Sequence, residues 1–511
     1  MSESLIRIFR HTVGAFGNCP ALVEGNIAIS YTELDAKSDE IAAAVERMKL
    51  RPGSKVGIFR KKSIPTVAAI YGVLKAGCAY VPIDTKMGPD KLAAVLQDAG
   101  LEALIVDPVL EKKIQDVAAG GLGYHFEEVS SSGDLLYFAG PSGVRNTASM
   151  EPSLAYILYT SGSTGIPKGV QHTNASALAF VSWAVTEFNI SSSDRLSCHA
   201  PLHFDLTIFD LFAAAMTGAC VVLIPDDVAI FPLQVASIIK NERISIWYSV
   251  PFALIQLLER GDLGQRDLAL REVIFAGERF PPTQLQQLAR TLPKVRLTNL
   301  FGPTETNVCT YHHLSPPDLA SDQFCPIGIP CPYSLIEVVN ENGNRVAAGE
   351  TGELLVGGAS VMTGYLNKPE LNEKKFVTRM IQGQAERLFR TGDLVSMAEG
   401  QPMFFHGRFD RQVKVRGFRI ELDEIEAALA NCAGVAAAAV WIDNDRNGFA
   451  EVRAAVASDA ASAKLSGDDL IWKIRRQLSV AAVPLRVCVL SSLPRTVNGK
   501  IDYAELARLE A

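Results

Sequence analysis

The sequence has few of the features that mark several large protein classes. None of its nine cysteines forms a CxxC pair, and none of its eight histidines lies in an HExxH motif. Neither structural zinc nor a disulfide framework is therefore expected. No run approaches the roughly 18 apolar residues of a membrane span, and the N-terminus lacks the apolar core of a signal peptide. These absences predict free thiols, no membrane partner and a cytoplasmic location.

An excess of basic charge and internal repetition are also missing. The formal net charge of −7 provides no basic surface for a nucleic-acid partner. What remains is ordinary for a globular protein, with 48% hydrophobic and 21% charged residues. Because 511 residues are too many for one core, two or three units are expected.

Short apolar runs alternate with helix-like stretches along the chain. This alternation predicts an α/β architecture. Strands are predicted over residues 55–59, 103–106, 155–159 and 219–224, and helices over 31–48, 91–98 and 175–188, the last with Asn174 as N-cap. A domain boundary is predicted within residues 407–413, followed by a helix over 422–431 and an apolar stretch over 435–442.

The most informative segment is YTSGSTGIPKGV, at residues 159–170. A strand-like run enters a loop whose glycines let the backbone turn and whose hydroxyl groups and backbone N–H groups can surround an anion. The loop residues are Thr160, Ser161, Gly162, Ser163, Thr164 and Gly165, and Lys168 adds a positive charge. The loop is not a Walker A motif, because Gly169 rather than Ser or Thr follows Lys168.

This string resembles the signature of the adenylate-forming superfamily, which contains peptide-synthetase adenylation domains, acyl-CoA synthetases and luciferases. The resemblance continues in order through residues 30–34, 74–84, 299–306, 352–354, 389–393, 407–421 and 498–502. It implies a large multi-sheet α/β N-terminal domain over residues 1–408 and a small mobile α+β C-terminal lid over 409–511. It also implies that a carboxylate attacks ATP, with Mg²⁺ present, and that pyrophosphate is released.

The resemblance assigns catalytic roles to four residues. Lys500 is expected to bond the substrate carboxylate and the developing phosphate charge, and the lid would deliver it and then rotate away to admit a thiol. Lys168 suits the β- and γ-phosphates, and Thr304 the α-phosphate. Glu305 is expected to hold Mg²⁺. Since both reactants are anionic, neutralising charge and aligning the reactants are the main tasks.

Nucleotide contacts are implied in the same way. Phe301 would stack on adenine, and Asn299 would bond its exocyclic amine. Asp393 would bind both ribose hydroxyls, with Arg408 at the ribose or the phosphate. Asp410 resembles the family's hinge residue, and residues 414–421 would line the thiol tunnel after rotation.

Residues 204–212 match the motif that begins the acyl pocket, and Asp205 lies where amino-acid-activating members pair with the substrate's α-ammonium. The other pocket positions are Leu206, Phe209, Tyr248, Ile274, Ala276, Leu300, Val308 and Cys309. Apart from Asp205 and Lys500 they carry no charge, and the bulky members favour a small apolar side chain. The set resembles that of stand-alone L-proline activators, so L-proline is preferred over D-alanine, L-alanine and valine.

The chain ends soon after Lys500, so the acyl acceptor is expected to be the phosphopantetheine thiol of a separate carrier protein. An acyl-CoA synthetase shares the ATP motifs and remains the alternative, together with a ligase for D-alanine or another small amino acid. A non-catalytic binding module is disfavoured because Lys168, Glu305, Asp393 and Lys500 are all present.

Overall fold

The computed structural model describes residues 3–119, 124–131, 134–141, 153–162, 167–444, 450–458, 465–496 and 501–510. Contacts divide the chain into two compact units. The large unit contains Met1–Thr85, Asp98–Tyr159 and Gly169–Phe409, and the small unit contains Lys86–Gln97, Thr160–Lys168 and Asp410–Ala511. The small unit thus includes two short segments that the predicted domain division places in the N-terminal domain.

A nine-stranded sheet forms the centre of the large unit. Its order is Ile329–Pro330, Thr310–His313, Arg296–Phe301, Glu272–Ala276, Ile246–Ser249, Arg195–Cys198, Cys220–Leu223, Pro20–Glu24 and Ile27–Ser30. The six strands from Arg296–Phe301 to Pro20–Glu24 are parallel, and antiparallel strands flank them. Three of these six parallel strands are buried along their whole length, which explains their continuous apolar sequences.

Three further sheets belong to strands of this part of the chain. A six-stranded sheet has the order Gly364–Tyr365, Lys168–Thr173, Leu154–Thr160, Ala79–Pro82, Lys55–Phe59 and Ala103–Val106. An antiparallel sheet joins Ser334–Val339, Thr351–Gly358, Gln384–Ser396 and Phe376–Ile381, with Phe404–Arg408 paired to Gln384–Ser396. Tyr124–Ser131 and Asp134–Pro141 form a hairpin.

Helices cover the sheets. Those before the small C-terminal segment are Leu5–Phe16, Tyr31–Arg47, Ile64–Lys75, Pro89–Ala99, Glu111–Ala119, Asn174–Glu187, Leu206–Thr217, Pro232–Asn241, Pro251–Arg260, Pro282–Thr291, Pro316–Leu319 and Pro369–Lys375. The predicted α/β class is confirmed. Among the described residues, no helix combines the length and apolarity that crossing a membrane requires.

The predicted N-cap Asn174 is wrong by one residue. Thr173 caps the helix, because its hydroxyl accepts the Ser176 N–H at 3.1 Å and Ser176 returns the bond in a capping box. The Asn174 side chain instead accepts the Leu5 N–H at 3.0 Å. This hydrogen bond connects the helix Asn174–Glu187 to the first helix of the chain, Leu5–Phe16.

The small unit has its own core. Its strands are Gln412–Val415 paired with Phe418–Glu421, and Val435–Asn444, Ala450–Ser458 and Arg486–Leu490 in a second sheet. Its helices after residue 410 are Leu422–Ala430, Gly467–Ile474 and Tyr503–Glu510. Buried side chains from the strands and the first two of these helices form one apolar cluster, including Ile420, Ile425, Val440 and Ile474.

Candidate active site

Four of the predicted pocket residues lie on parallel strands of the nine-stranded sheet, and two of these, Ala276 and Leu300, lie at or next to the carboxyl ends of their strands. Tyr248 is the register partner of Ile274, and Ala276 that of Leu300, on three adjacent strands. Phe209 packs edge-on against Tyr248, with ring centroids 5.4 Å apart. Ligands of open α/β sheets bind at this edge.

One apolar cluster contains seven of the eight uncharged pocket positions. They are Leu206, Phe209, Tyr248, Ile274, Ala276, Leu300 and Val308. Cys309 is separate from them: it is fully buried in another cluster, with Val338, Leu354 and Met403. Its side chain therefore packs towards the antiparallel sheet of the large unit.

Asp205 occupies the N-cap position of the helix Leu206–Thr217 without capping it. An aspartate at this position ordinarily accepts a backbone N–H of the first turn, but here its side chain makes no such bond. Instead, Oδ2 accepts the hydroxyl of Thr304 at 2.7 Å. The carboxylate is thus directed to the segment that carries Thr304 and Glu305.

That segment is a short 3-10 turn, Thr304–Thr306, which follows the strand Arg296–Phe301. A Cβ atom on Gly302 would lie only 1.9 Å from the Asn307 carbonyl oxygen, so the tight approach requires glycine. Asn307 adopts a φ of 51° and a ψ of −149°, a conformation that residues other than glycine rarely take.

Buried side chains hold the turn in place. His172 is fully buried, and its Nε2 lies 2.8 Å from the Thr304 carbonyl oxygen. Because a carbonyl only accepts, Nε2 carries the proton, and Nδ1 can accept from the Asn307 amide at 3.3 Å. Burial lowers the pKa of His172 to about 4, which keeps the imidazole neutral near neutral pH.

Glu305 is fully buried, and Tyr365 donates its hydroxyl to Oε1 at 2.6 Å. The Glu305 carbonyl also accepts the Met362 N–H at 2.8 Å. The carboxylate is therefore fixed by a segment about 60 residues further along the chain. Carboxylate oxygens are the ligands that Mg²⁺ takes in proteins, so Glu305 has the chemistry to hold that ion.

Asn299 and Phe301 lie on the strand that leads into the turn. The Asn299 amide nitrogen donates to the Pro326 carbonyl at 2.8 Å, so Oδ1 is the atom that could accept from an adenine amino group. Phe301 contacts Phe405, with ring centroids 5.7 Å apart.

Asp393 and Arg408 face each other on paired antiparallel strands. The Arg408 guanidinium donates through Nη1 to Asp393 Oδ1 and through Nη2 to the Thr391 carbonyl, the latter at 3.0 Å. Asp393 is nearly buried. The guanidinium therefore both neutralises and orients the carboxylate that is predicted to bind the ribose.

The small unit contains the described part of the phosphate loop. Ser161 donates to the Arg419 carbonyl at 2.7 Å, and the Lys168 ammonium lies 3.7 Å from Glu421. Thr160 Oγ1 is buried, and no described residue bonds it. Gly162 directly follows Ser161 in the loop. The predicted hinge residue Asp410 accepts the Gln412 N–H at 3.3 Å. Ser163, Thr164, Gly165 and Lys500 lie outside the described residues.

Sequence reasoning missed His172 and Tyr365. Neither lies in a motif that indicates a partner, because their contacts to Thr304 and Glu305 span 132 and 60 residues. The only local signal is that His172 follows the phosphate loop on the strand Lys168–Thr173.

The family profile of AMP-binding enzymes matches residues 9–366, and that of the AMP-binding enzyme C-terminal domain matches residues 424–500. The chain belongs to the AMP-binding enzyme family. Use of ATP follows from this membership, and the predicted superfamily is confirmed.

Two relatives match nearly the full chain of this AMP-binding enzyme. An L-proline--[L-prolyl-carrier protein] ligase from Pseudomonas fluorescens is 35% identical over 98% of this chain and 97% of its own length. A ligase of the same name from Streptomyces coelicolor is 35% identical over 99% and 96%. Among solved structures, the amide bond synthetase McbA from Marinactinospora thermotolerans has a TM-score of 0.85 and 25% identity, covering 99% of both chains. The predicted adenylate-forming fold is thereby confirmed.

Proposed function

We propose that this enzyme activates L-proline with ATP as prolyl-AMP, releases pyrophosphate, and transfers the prolyl group to the phosphopantetheine thiol of a separate carrier protein. The observation that carries the proposal is the full-length similarity to two ligases whose names state this substrate and this acceptor. Because the chain spans 97% and 96% of them, the similarity is not limited to a shared ATP-binding segment.

The amino-acid subsite supports the same reaction. Asp205 is a half-buried carboxylate that directly precedes Leu206, a member of the apolar cluster, and a cationic partner would offset the cost of desolvating it. The secondary ammonium of proline is such a partner. The packed rings of Phe209 and Tyr248 favour a compact apolar side chain over a long or polar one.

Five residues are proposed to bind the adenine, the ribose and the α-phosphate of ATP, and a sixth the Mg²⁺ ion. Asn299 and Phe301 are proposed to bind adenine, and Asp393, oriented by Arg408, the ribose hydroxyls. Thr304 is proposed to donate to the α-phosphate. Glu305 would hold Mg²⁺, whose other ligands would be phosphate oxygens and water. When bound, the ion neutralises charge on the triphosphate.

Lys168 and the hydroxyl groups of Thr160 and Ser161 are proposed to bind the β- and γ-phosphates. The buried Thr160 hydroxyl supports this role, since an oxygen that lacks a described partner is suited to accept one from a ligand. Lys500 is proposed to bond the proline carboxylate during attack on the α-phosphorus. Asp410 is proposed as the hinge for the change between the two half-reactions.

Loading of a carrier protein tests the complete reaction. Labelled L-proline, ATP and Mg²⁺ would be incubated with the enzyme and a phosphopantetheinylated (holo) carrier protein. Label should reach the holo-carrier but not the apo-carrier, which lacks the thiol. Transfer to free coenzyme A in place of the carrier would show that the acceptor is wrong.

A further inference from the structure

We propose that the Thr304 hydroxyl couples the amino-acid subsite to the nucleotide subsite by exchanging one hydrogen-bond acceptor for another. It donates to Asp205 while that carboxylate has no substrate ammonium, and to the α-phosphate once the ammonium is bound. This inference rests on the proposed function, which places the ammonium at Asp205 and the α-phosphate at Thr304.

The first supporting observation is the bond itself. Thr304 Oγ1 donates to Asp205 Oδ2 at 2.7 Å, although the two residues are 99 positions apart. A hydroxyl group has one proton and so donates to one strong acceptor at a time. While the Thr304 hydroxyl donates to Asp205, it cannot donate to a phosphate oxygen.

The second observation is that Asp205 makes no cap hydrogen bond to its own helix. A half-buried carboxylate gains from each donor that replaces water. An ammonium that arrives at Asp205 would supply both charge and donors. The Thr304 hydroxyl would then be less strongly held and could turn to another anion.

The third observation is that hydrogen bonds to two neighbouring carbonyls hold the backbone of the turn in place. The Thr304 carbonyl is held by His172 at 2.8 Å, and the carbonyl of the next residue, Glu305, is held by the Met362 N–H at 2.8 Å. Rotation about χ1 moves the threonine hydroxyl between staggered positions on a fixed backbone. The anchored turn therefore confines the change to one side chain.

The consequence is positive coupling between the substrates. Bound amino acid should increase the affinity for nucleotide, and by linkage nucleotide should increase the affinity for amino acid to the same extent. A coupling of about 5-fold or more would lie within the range usual for linked sites.

The test measures binding of an α,β-methylene ATP analogue by calorimetry, with and without saturating L-proline. Wild type and Thr304→Ser should both bind the analogue more tightly with proline. Thr304→Val keeps the shape but removes the hydroxyl, and its affinity should be the same in both conditions. Thermal unfolding would establish that the variants are folded, and an unchanged proline effect in folded Thr304→Val would overturn the inference.

A second arm does not depend on which amino acid is the substrate. Without any amino acid, Asp205→Asn should bind the analogue more tightly than wild type, because a neutral amide holds the Thr304 hydroxyl less strongly. Part of this gain in affinity would come simply from removing the negative charge of Asp205. Asp205→Asn introduced into Thr304→Val, which lacks the hydroxyl, measures that part alone. Equal gains in both backgrounds would overturn the coupling. If the gains in analogue affinity differ between the two backgrounds but the enzyme does not bind proline, the coupling stands and only the proposed substrate is rejected.

Discussion

Tyr365 donates its hydroxyl to the buried carboxylate of Glu305 at 2.6 Å, across 60 residues of sequence. Glu305→Gln keeps an acceptor for this hydroxyl but removes the charge that would bind Mg²⁺. The variant should need a higher Mg²⁺ concentration for half-maximal pyrophosphate exchange and should have a lower maximal rate. Tyr365→Phe keeps the charge and should have the smaller effect.

The matched control for this prediction is Glu370→Gln, which changes an exposed carboxylate in the same way. It should leave the Mg²⁺ dependence unchanged. If Glu305→Gln also has the wild-type Mg²⁺ dependence, Glu305 is not the metal ligand.

Asp205→Asn should remove most of the activity with L-proline. The amide oxygen can still accept from an ammonium but carries no charge, and losing the charged partner corresponds to about 2–3 kcal/mol, or about a 30- to 100-fold lower kcat/KM for proline. The KM for ATP should not rise. Steady-state pyrophosphate exchange would measure both quantities, and Asp227→Asn, at an exposed carboxylate, is the control. A kcat/KM for proline in Asp205→Asn equal to that of wild type would rule out the proposed role of this residue.

Asp393→Asn should weaken recognition of the ribose. The carboxylate can accept both ribose hydroxyls, whereas an amide has one acceptor oxygen. Wild type should therefore prefer ATP to 2′-deoxy-ATP, and the variant should lose much of that preference, by about 10-fold. Competition between the two nucleotides in the exchange assay would measure the ratio. An unchanged ratio would place the ribose elsewhere.

His172→Leu should destabilise the large unit. It leaves the partly buried Thr304 carbonyl without its donor, which costs about 1–3 kcal/mol. His172→Gln can still donate to this carbonyl and should lose less. Urea denaturation would measure the free energy of unfolding, with the exposed His11→Leu as a control expected to stay within about 0.5 kcal/mol. Equal losses for the leucine and glutamine variants would argue against this hydrogen bond.

Much of the fold could be predicted because buried strands have continuous apolar sequences. Lys55–Phe59 and Ala103–Val106 were predicted at their exact bounds, and both are buried throughout. The cap of the helix Asn174–Glu187 was misplaced because Thr173 and Asn174 are both good N-cap residues. The Asn174 side chain instead bonds Leu5 and Ser153, at 169 and 21 residues along the chain, and no local pattern indicates these contacts.

Candidate site residues such as Asp205 and Glu305 could be named from the sequence because they lie in ordered motifs. The contacts that orient these carboxylates could not, because Thr304, Tyr365 and His172 reach their partners only through the fold. The sequence also did not indicate that Cys309 packs in a different cluster from Val308. The two residues are adjacent in sequence, and only the fold decides which of them faces the pocket.

The most direct test of the proposed function is amino-acid-dependent ATP–pyrophosphate exchange. The panel would contain the proteinogenic amino acids, D-alanine, pipecolate, aryl acids and fatty acids. Selective exchange with L-proline is the predicted result. Exchange only with acids that lack an α-amino group would contradict the role of Asp205 and the proposed substrate together.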